Sequence, residues 1–257
     1  MPASDLTLLI DAAQRAADLS RSFVGQDFDV QHKPQDNSPV TEVDLAVNDL
    51  LEEQLRSARP DYGWLSEEST DDETRLSTDR VFVVDPIDGT RSFVEGSNSW
   101  SHALAVVEQG QVTAAVVILP MLNKLYSASL GGGARLNGLP IRVSDHATAS
   151  GAEVLATKQN MQPEFWRGNL PDIKRHHRPS LAYRLSLVAE GRFDAMFTFR
   201  PSWEWDIASG ALIMAEAGAR VTDRRGGKLR FNNPHPQTDG VLGANPDLHA
   251  DLLDRIA

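Results

Sequence analysis

Apolar side chains near the start of the chain recur every three or four residues, which predicts an amphipathic helix over residues 5–23. Its buried stripe would consist of Leu6, Leu9, Ile10, Ala13, Ala16 and Ala17. A polar loop is expected from Gln31 to Pro39. Thr41 then has the position of an N-cap, with Asp44 three residues later as in a capping box. The second helix would bury Val43, Ala46, Val47, Leu50 and Leu51.

Strand patterns follow these helices. Val81–Val84 is a short apolar run that predicts a buried strand ending abruptly at Asp85 and Pro86. Three further runs have strand character, and turns at 108–110 and 131–133 separate them, as in an antiparallel meander. These runs are Ala103–Val107, Val112–Leu119 and Lys124–Ser129.

The second half of the chain alternates between strand and helix patterns. Strands are predicted at Val154–Thr157, Phe193–Phe199 and from Ala219 to Thr222. Helices are predicted at Ser180–Glu190 and at Trp205–Ala217, each followed by a glycine that would end it. We therefore expect an α+β lobe over residues 1–145 and an α/β lobe over residues 146–257, acting together as one functional unit.

Composition and charge narrow the possible functions. The 257 residues are 41% hydrophobic and 24% charged, which is typical of a globular chain. The absence of cysteine excludes disulfides, thiolate metal sites and cysteine nucleophiles. A net charge of −11 disfavours nucleic acid polymers and anionic membranes as partners. The start has no signal-peptide pattern, and the longest apolar run, Val112–Leu119, is too short to cross a bilayer, so a cytoplasmic location is expected.

Two carboxylates stand three residues apart directly after the strand predicted at 81–84. Asp85 and Asp88 flank a turn set by Pro86 and Gly89, so both side chains can converge on one point. Mg²⁺ prefers oxygen ligands, and a shared carboxylate is how two-metal sites are built. In a chain of this net charge, bound cations would supply the positive centre that an anionic substrate needs. The alternative interpretation is an ordinary Asp-Gly turn that ends a strand.

Two other acidic segments have simple structural interpretations when taken alone. Ser66–Ser69 places Glu67 and Glu68 after an apolar stretch, which is typical of a solvated charge run. Asp206 introduces a helix rich in small residues, where an acid commonly stabilises the helix N-terminus.

Taken together, these motifs resemble the inositol monophosphatase family. The segment from Asp85 to Thr90, followed by Phe93, is similar to the family's first signature, and Trp205–Gly218 is similar to its second. Ser66–Ser69 resembles the family's Gly-Glu-Glu-Ser element, and Lys33 with Pro39–Asp44 fits the segment before it. The resemblance extends over roughly residues 5 to 250.

The resemblance implies both a fold and an activity. The fold is α/β (α+β), a layered α-β-α-β-α sandwich of the inositol monophosphatase and fructose-1,6-bisphosphatase type. The activity is Mg²⁺-dependent hydrolysis of a small phosphorylated metabolite, by direct attack of a metal-activated water on the phosphate. Two to three Mg²⁺ ions, inhibition by lithium and a homodimer are implied as well.

Residue roles are carried over by position. Glu67, Asp85 and the Ile87 carbonyl would hold the first Mg²⁺, Asp85, Asp88 and Asp206 the second, and Glu67 a weaker third. Thr90, supported by Asp44 and Glu67, would orient the attacking water. The expected substrate-binding residues are Gly89, Thr90, Asp206, Ser180 and Arg184, with Lys33 in a supporting role. Arg184 could bind a second phosphate or be an ordinary arginine beside the core.

The substrate stays open because Phe197–Trp203 lacks the glutamate with which animal inositol phosphatases bind sugar hydroxyls. Inositol 1-phosphate is the first candidate. Ser180–Arg184 with Leu187–Gly191 resembles the branch that hydrolyses 3′-phosphoadenosine 5′-phosphate. The first signature, with Gly96 after it, also resembles the histidinol-phosphate phosphatases. A non-catalytic, metal-dependent binding protein is the alternative from a different class.

Overall fold

Most of the apolar stripe predicted for the first helix is buried in the structure, a computed structural model that describes residues 4–34, 37–71 and 73–257. Leu6 and Ile10 are only partly buried, whereas Leu8, which was not predicted, is buried. Helix α1 (Asp5–Ser22) packs on α2 (Glu42–Ala58) through that stripe. The predicted capping box is present at the start of α2. The Thr41 N–H donates to the Asp44 carboxylate at 2.9 Å, and the Asp44 N–H donates to the Thr41 hydroxyl at 3.2 Å. The capping-box prediction is therefore confirmed.

A small hairpin occupies the ends of the segment predicted as a polar loop. Strands β1 (Val30–His32) and β2 (Pro39–Thr41) pair in antiparallel fashion. The prediction of a loop from Gln31 to Pro39 was therefore wrong at both ends, while Gln35 and Asp36 lie outside the described residues. All three residues of β1 are exposed, so this strand carries no buried-and-exposed alternation that a sequence pattern could reveal.

Seven strands form the larger sheet, in the order β3-β4-β5-β6-β7-β8-β9. They are β3 (Gly63–Ser66), β4 (Arg80–Asp88), β5 (Ser101–Glu108), β6 (Gln111–Leu119), β7 (Lys124–Ser129), β8 (Ala134–Leu136) and β9 (Leu139–Pro140). β3 and β4 are parallel and all other neighbours are antiparallel, which confirms the predicted meander. One turn was misplaced: the 3₁₀ helix Pro120–Leu122 separates β6 from β7, and the glycines at 131–133 join β7 to β8.

Both faces of this sheet are covered by helices. Along β4, Phe82 and Val84 point to α1 and α2, whereas Val81 and Val83 point to the opposite side. There they meet α4 (Leu181–Ala189) and α5 (Glu204–Glu216). Because successive side chains of a strand alternate between faces, a strand buried on both sides reads as a continuous apolar run. This explains the pattern of Val81–Val84.

A second sheet lies on the far side of α4 and α5, with the order β11-β10-β12-β16-β14. Its strands are β10 (Glu153–Leu155), β11 (Lys174–His176), β12 (Ala195–Thr198), β14 (Arg220–Thr222) and β16 (Val241–Ala244). β13 (Ser202–Trp203) and β15 (Gln237–Thr238) form a separate pair. Helix α6 (Pro246–Arg255) packs on the outer face of this sheet, with the 3₁₀ helices Gln159–Met161 and Pro163–Phe165 nearby. The layers are therefore α-β-α-β-α, as predicted.

The helices α4 and α5 contribute to one hydrophobic cluster that includes residues of both sheets, such as Val83 and Met196. The division into lobes at residues 145 and 146 remains a prediction. Within the described ranges, no helix combines the length and the apolar character needed to span a membrane.

Close packing of α4 on α5 depends on Gly210. A Cβ atom at this position would lie 2.6 Å from Leu185 Cβ, well inside van der Waals contact. We expect Gly210→Ala to lower the free energy of unfolding, because overpacking costs roughly 1–3 kcal/mol, and alanine's better helix propensity regains at most about 1 kcal/mol. Urea unfolding measures the change.

The neighbouring Ser209→Ala is a matched control for this prediction. Its buried hydroxyl has no hydrogen-bond partner among the described residues, so its removal is expected to be neutral or slightly stabilising. If Gly210→Ala is as stable as the wild type, the helices separate without cost and the close contact does not matter.

Candidate active site

The strand that carries the first acidic pair is longer than predicted. β4 does not end at Asp85 but continues to Asp88, and its pairing with β5 shifts between these two residues. The prediction of an abrupt end at Asp85 and Pro86 was therefore wrong. A bulge bends a strand and re-aims its side chains, so Asp85 and Asp88 line the same cavity at the carboxyl end of β4. Gly89 then adopts a φ of +101°, a left-handed conformation that suits glycine, and leads into α3 (Thr90–Val94).

Three carboxylates from three elements converge beside this bulge. Glu67 follows β3, Asp85 lies on β4, and Asp206 lies in the first turn of α5. One oxygen from each side chain lies within 4.8 Å of the others. The parallel pairing of β3 with β4 sets this geometry, because Ser66 pairs with Val84 and the following residues stand side by side. Three residues distant in sequence thus form a single cluster.

Asp85 is the buried centre of the cluster. Neither of its carboxylate oxygens has a hydrogen-bond partner among the described residues, although the residue is only 1% exposed. Burial, together with the neighbouring Glu67, Asp88 and Asp206, raises the pKa of Asp85 well above its usual value. Burial and the charges of Asp88 and Glu67 raise the pKa of Asp206 as well. Unpaired buried charges are costly, so this arrangement calls for a cation.

Asp88 is held at the edge of the cluster by the start of α4. Its Oδ2 accepts hydrogen bonds from the Ser180 hydroxyl at 2.6 Å and from the Ala182 N–H at 2.7 Å. Burial raises the pKa of Asp88, and these hydrogen bonds oppose the rise. Ser180 is fully buried and caps α4. In the structure its side chain positions Asp88, and its predicted contact with substrate stays a prediction.

Arg184 is also committed to protein groups. Its guanidinium donates to the carbonyls of Arg178 and Pro179, and one of its nitrogens lies 2.9 Å from His177 Nε2. The residue is 6% exposed, and burial lowers the pKa of its guanidinium to about 10. This geometry supports the alternative interpretation of Arg184 as an arginine that fixes the 177–179 segment beside the core.

Thr90 and Asp44 form a hydrogen-bonded pair next to the cluster. The Thr90 hydroxyl lies 3.0 Å from Asp44 Oδ1 and 3.1 Å from the Ile87 carbonyl oxygen. Asp44 Oδ2 accepts from both the backbone N–H and the hydroxyl of Thr41. Burial raises the pKa of Asp44 to about 6, while the hydrogen bonds from Thr41 and Thr90 limit the rise. At neutral pH the Asp44 carboxylate is therefore ionised and fixes the orientation of Thr90.

Lys33 supports the acidic pair that follows β3. Its ammonium donates to Glu67 at 2.7 Å and to Glu68 at 2.8 Å. Burial lowers the pKa of Lys33, but the two glutamates more than offset this and raise it. Burial and the charge of Glu67 raise the pKa of Glu68 to about 7, against the effect of Lys33. Both glutamates are thus paired with Lys33, and the Glu68 side chain is largely buried, so this segment is not a solvated charge run.

A cavity of about 210 Å³ opens onto the carboxylate cluster. Its lining contains most of the predicted site residues, together with Ser38, Pro39 and Arg91, which were not predicted. The lining residues are Ser38, Pro39, Glu67, Asp85, Ile87, Asp88, Gly89, Thr90, Arg91 and Asp206. The sequence therefore identified seven of the ten residues that line the cavity.

Sequence reasoning also missed His102, which is buried behind the bulge on β5. Its Nδ1 contacts the Pro86 carbonyl, and its Nε2 lies 2.9 Å from the Ser20 hydroxyl of α1. Burial lowers the pKa of His102 to about 4, so the ring is neutral and holds the bulge to α1. No sequence pattern signals this role, since a single histidine within an apolar strand has no characteristic spacing.

The cluster and the cavity bring together several residues to which the resemblance assigned roles, and those roles stay predictions. The sequence model of the inositol monophosphatase family matches residues 2–257. This chain belongs to the inositol monophosphatase family. Members of this family are phosphatases that hydrolyse phosphomonoesters with the help of metal ions, so the predicted enzyme class is confirmed.

Individual relatives agree with this assignment. The chain is 35% identical over 198 residues to the inositol-1-monophosphatase of Rhizobium meliloti (strain 1021), covering 73% of each protein. It is 30% identical over 257 residues to the histidinol-phosphatase of Chlorobaculum parvum, covering 98% of this chain and 96% of the relative. The solved structure of the IMPase of Thermotoga maritima matches with a TM-score of 0.82 and 29% identity, over 97% and 95% of the two chains. The fold prediction is confirmed.

Proposed function

We propose that this member of the inositol monophosphatase family is a Mg²⁺-dependent phosphomonoesterase with inositol 1-phosphate as its first candidate substrate. The observation that carries the proposal is the buried Asp85 carboxylate, whose two oxygens lack hydrogen-bond partners among the described residues and face Glu67 and Asp206. Mg²⁺ prefers such hard oxygen ligands and retains part of its hydration shell. The cavity beside the cluster leaves room for water and a phosphate group.

The donor set fits divalent cations. Glu67, Asp85 and Asp206 would hold them, with Asp88 and the Ile87 carbonyl as the further predicted ligands. When bound, two or three Mg²⁺ ions would neutralise phosphate charge and lower the pKa of water. Among the described residues, no histidine joins this cluster of possible ligands, and the chain has no cysteine, so the donors are those of a magnesium rather than a zinc site.

Thr90 orients the attacking water in this proposal. Its hydroxyl has one proton, which it donates to Asp44 Oδ1 or to the Ile87 carbonyl oxygen, at 3.0 and 3.1 Å. Donation to Asp44 leaves the Ile87 carbonyl free as a ligand and leaves the Thr90 oxygen as an acceptor for water. Glu67, anchored by Lys33, lines the same cavity and assists. Gly89 and Thr90 would bind the phosphate through their N–H groups.

Thr90→Val is expected to lower kcat by about a hundredfold or more, since positioned proton acceptors contribute factors of this size. Valine has the same shape but no hydroxyl, so the cavity and the carboxylate cluster should be retained. Thr90→Ser is the matched control and should keep most of the activity. Steady-state kinetics at saturating Mg²⁺ measures the effect, and near-normal kcat for Thr90→Val would exclude the proposed role.

The function itself is tested by phosphate release from three esters: inositol 1-phosphate, 3′-phosphoadenosine 5′-phosphate and histidinol phosphate. Each is measured with Mg²⁺ and with a chelator. Preference for one ester identifies the substrate branch, and slow turnover of all three indicates a generalist. If Mg²⁺ stimulates hydrolysis of none of them, the alternative of a non-catalytic metal-dependent binding protein is favoured. Inhibition by lithium, a homodimer and a cytoplasmic location belong to the same proposal, as does the absence of nucleic acid and membrane partners.

A further inference from the structure

A single histidine stands opposite the bulge that separates the two aspartates of β4. The pairing of β4 with β5 shifts between Asp85 and Asp88, so that Pro86 and Ile87 together face His102. Two residues facing one is the usual composition of a bulge, and the hydrogen bonds of the strand ladder are disrupted there. In their place, His102 Nδ1 contacts the Pro86 carbonyl oxygen. The bulge is therefore held by a side chain as well as by the ladder on either side.

The partners of the His102 ring fix its tautomer. A carbonyl oxygen can only accept, so Nδ1 has the proton and donates it to Pro86. In a neutral ring Nε2 is then an acceptor, and the Ser20 hydroxyl, 2.9 Å away, donates to it. Both His102 and Ser20 are fully buried, so bulk water does not compete for these hydrogen bonds. A chain of hydrogen bonds thus runs from α1 to the bulge.

Proline makes the hydrogen bond from His102 decisive for the local backbone. Peptide units are planar, and the proline ring fixes φ of Pro86 at about −65°. The rotation that remains within Pro86 is ψ, which determines where its carbonyl oxygen points. A donor that holds this oxygen therefore fixes ψ, and with it the position of Ile87 relative to Asp85.

Groups on both sides of this peptide line the cavity. Asp85 is the centre of the carboxylate cluster, and the Ile87 carbonyl is a predicted cation ligand whose oxygen lies 3.1 Å from the Thr90 hydroxyl. His102 is not among the described residues that line the cavity. Its effect on a bound cation must therefore pass through the backbone of the bulge.

We propose that His102 is a positioning residue for the cation site: its hydrogen bond to Pro86 sets the spacing between Asp85 and the Ile87 carbonyl, and thereby the affinity for Mg²⁺. Partners that orient metal ligands are typically worth about 10- to 100-fold in metal affinity. The inference rests on the proposed function, in which Mg²⁺ binds at this cluster. Through Ser20, helix α1 also supports the site.

The test is the Mg²⁺ requirement of His102→Leu, which keeps roughly the volume of the ring but removes both hydrogen-bonding nitrogens. The rise in melting temperature that Mg²⁺ produces, relative to the same protein in chelator, reports cation affinity independently of catalysis. His102→Leu should need about tenfold or more Mg²⁺ to reach the rise seen in the wild type. The Mg²⁺ concentration for half-maximal phosphate release should increase in parallel, and excess Mg²⁺ should restore most of the lost activity.

Two further variants separate positioning from general stabilisation. His102→Asn keeps an N–H donor close to the place of Nδ1, so it should retain most of the Mg²⁺ affinity although it no longer reaches Ser20. His249→Leu is the matched control, because His249 is also fully buried and its Nε2 lies 2.8 Å from a hydroxyl, that of Thr222 on β14 of the second sheet. This control should lower the free energy of unfolding and leave the Mg²⁺ requirement unchanged.

Several results would overturn the inference. If His102→Leu is less stable but needs no more Mg²⁺ than the wild type, the histidine only stabilises the fold. If His249→Leu raises the Mg²⁺ requirement as much as His102→Leu does, destabilisation alone explains the effect. Should His102→Leu fail to fold, His102→Asn is compared with His102→Gln, whose amide reaches the place of Nε2 instead of Nδ1. Equal Mg²⁺ requirements for these two variants would show that the hydrogen bond to Pro86 is not what matters.

The thermal measurement distinguishes failure of this inference from failure of the proposed function. If Mg²⁺ stabilises the wild type but no ester is hydrolysed, the proposed function fails, and the variants still decide the role of His102. If hydrolysis depends on Mg²⁺ and His102→Leu needs no more of it, the inference alone fails. A wild type that Mg²⁺ does not stabilise would overturn both.

Discussion

Asp85→Asn is expected to lower kcat/KM by about three orders of magnitude or more, while making the cation-free protein more stable. The loss of activity follows from the position of Asp85 at the centre of the ligand cluster. Transition-state stabilisation by a bound cation is worth several kcal/mol, and each 1.36 kcal/mol corresponds to about tenfold in rate. An amide is a weaker ligand than a carboxylate, so most of this contribution is lost.

The expected gain in stability has a separate cause. Both Asp85 oxygens are buried without hydrogen-bond partners among the described residues, beside the carboxylates of Glu67 and Asp206. Folding without cations must therefore either bury repelling charges or protonate one of them, and both are costly. Asparagine keeps the shape, removes one charge and adds an N–H donor for its neighbours. Activity and stability thus change in opposite directions, which a merely misfolded variant would not do.

Thermal unfolding with chelator and with Mg²⁺, together with phosphate release, measures both changes. The melting temperature of Asp85→Asn should exceed that of the wild type in chelator, and its increase on adding Mg²⁺ should be small. Asp206→Asn should behave similarly, and Asp11→Asn, an exposed residue of α1, should match the wild type. Near-normal turnover of Asp85→Asn or Asp206→Asn at saturating Mg²⁺ would contradict the ligand assignment.

The parts of the fold that the sequence predicted are those decided by local patterns. Helix α1, the Thr41–Asp44 capping box and the meander of β5 to β7 all follow from spacing and turn residues within about twenty positions. The hairpin of β1 and β2 was missed because each strand has only three residues, and β1 is exposed throughout, so neither shows a periodic pattern. The extension of β4 to Asp88 was missed because Pro86 and two acids read as a turn. The pairing of this extension with β5 joins residues that are distant in sequence, so no local pattern reveals it.

The same distinction applies to the site. The resemblance identified Glu67, Asp85 and Asp206, and the structure brings them together. The resemblance gave Ser180 a substrate role. Its burial against Asp88 could not be predicted, because that burial depends on how α4 packs on the sheet. Arg91 lies inside the first signature, so its presence was visible, but only tertiary structure shows that it lines the cavity and that its guanidinium has no hydrogen-bond or ion-pair partner among the described residues. Charge alone does not tell a paired arginine from an available one.

The remaining prediction concerns the whole set of buried acids. Removal of divalent cations should abolish activity and leave a protein whose stability falls as the pH rises. Asp44 has a pKa of about 6 and Glu68 a pKa of about 7, both raised chiefly by burial. The pKa values of Asp85 and Asp206 are raised further above normal. Folded-state pKa values above the unfolded ones mean that the folded protein holds extra protons, and the stability they confer is lost as these groups ionise.

Between pH 6.5 and 8 the ionisation of these buried acids should dominate the pH dependence. The free energy of unfolding should then fall by about 1.4 kcal/mol per pH unit for each extra proton that the folded state holds. Below pH 6.5 the buried His102 and His249, with pKa values lowered to about 4 mainly by burial, act in the opposite direction, so the slope should weaken there. Mg²⁺ compensates the ionised Asp85 and Asp206, so in its presence the free energy of unfolding should depend less on pH.

Urea unfolding at pH 6.5 and 8, with chelator and with Mg²⁺, gives the four free energies of unfolding that this comparison needs. Stability that is constant or rises with pH in chelator would mean that the clustered carboxylates do not repel one another, and the argument for a cation between them would be lost.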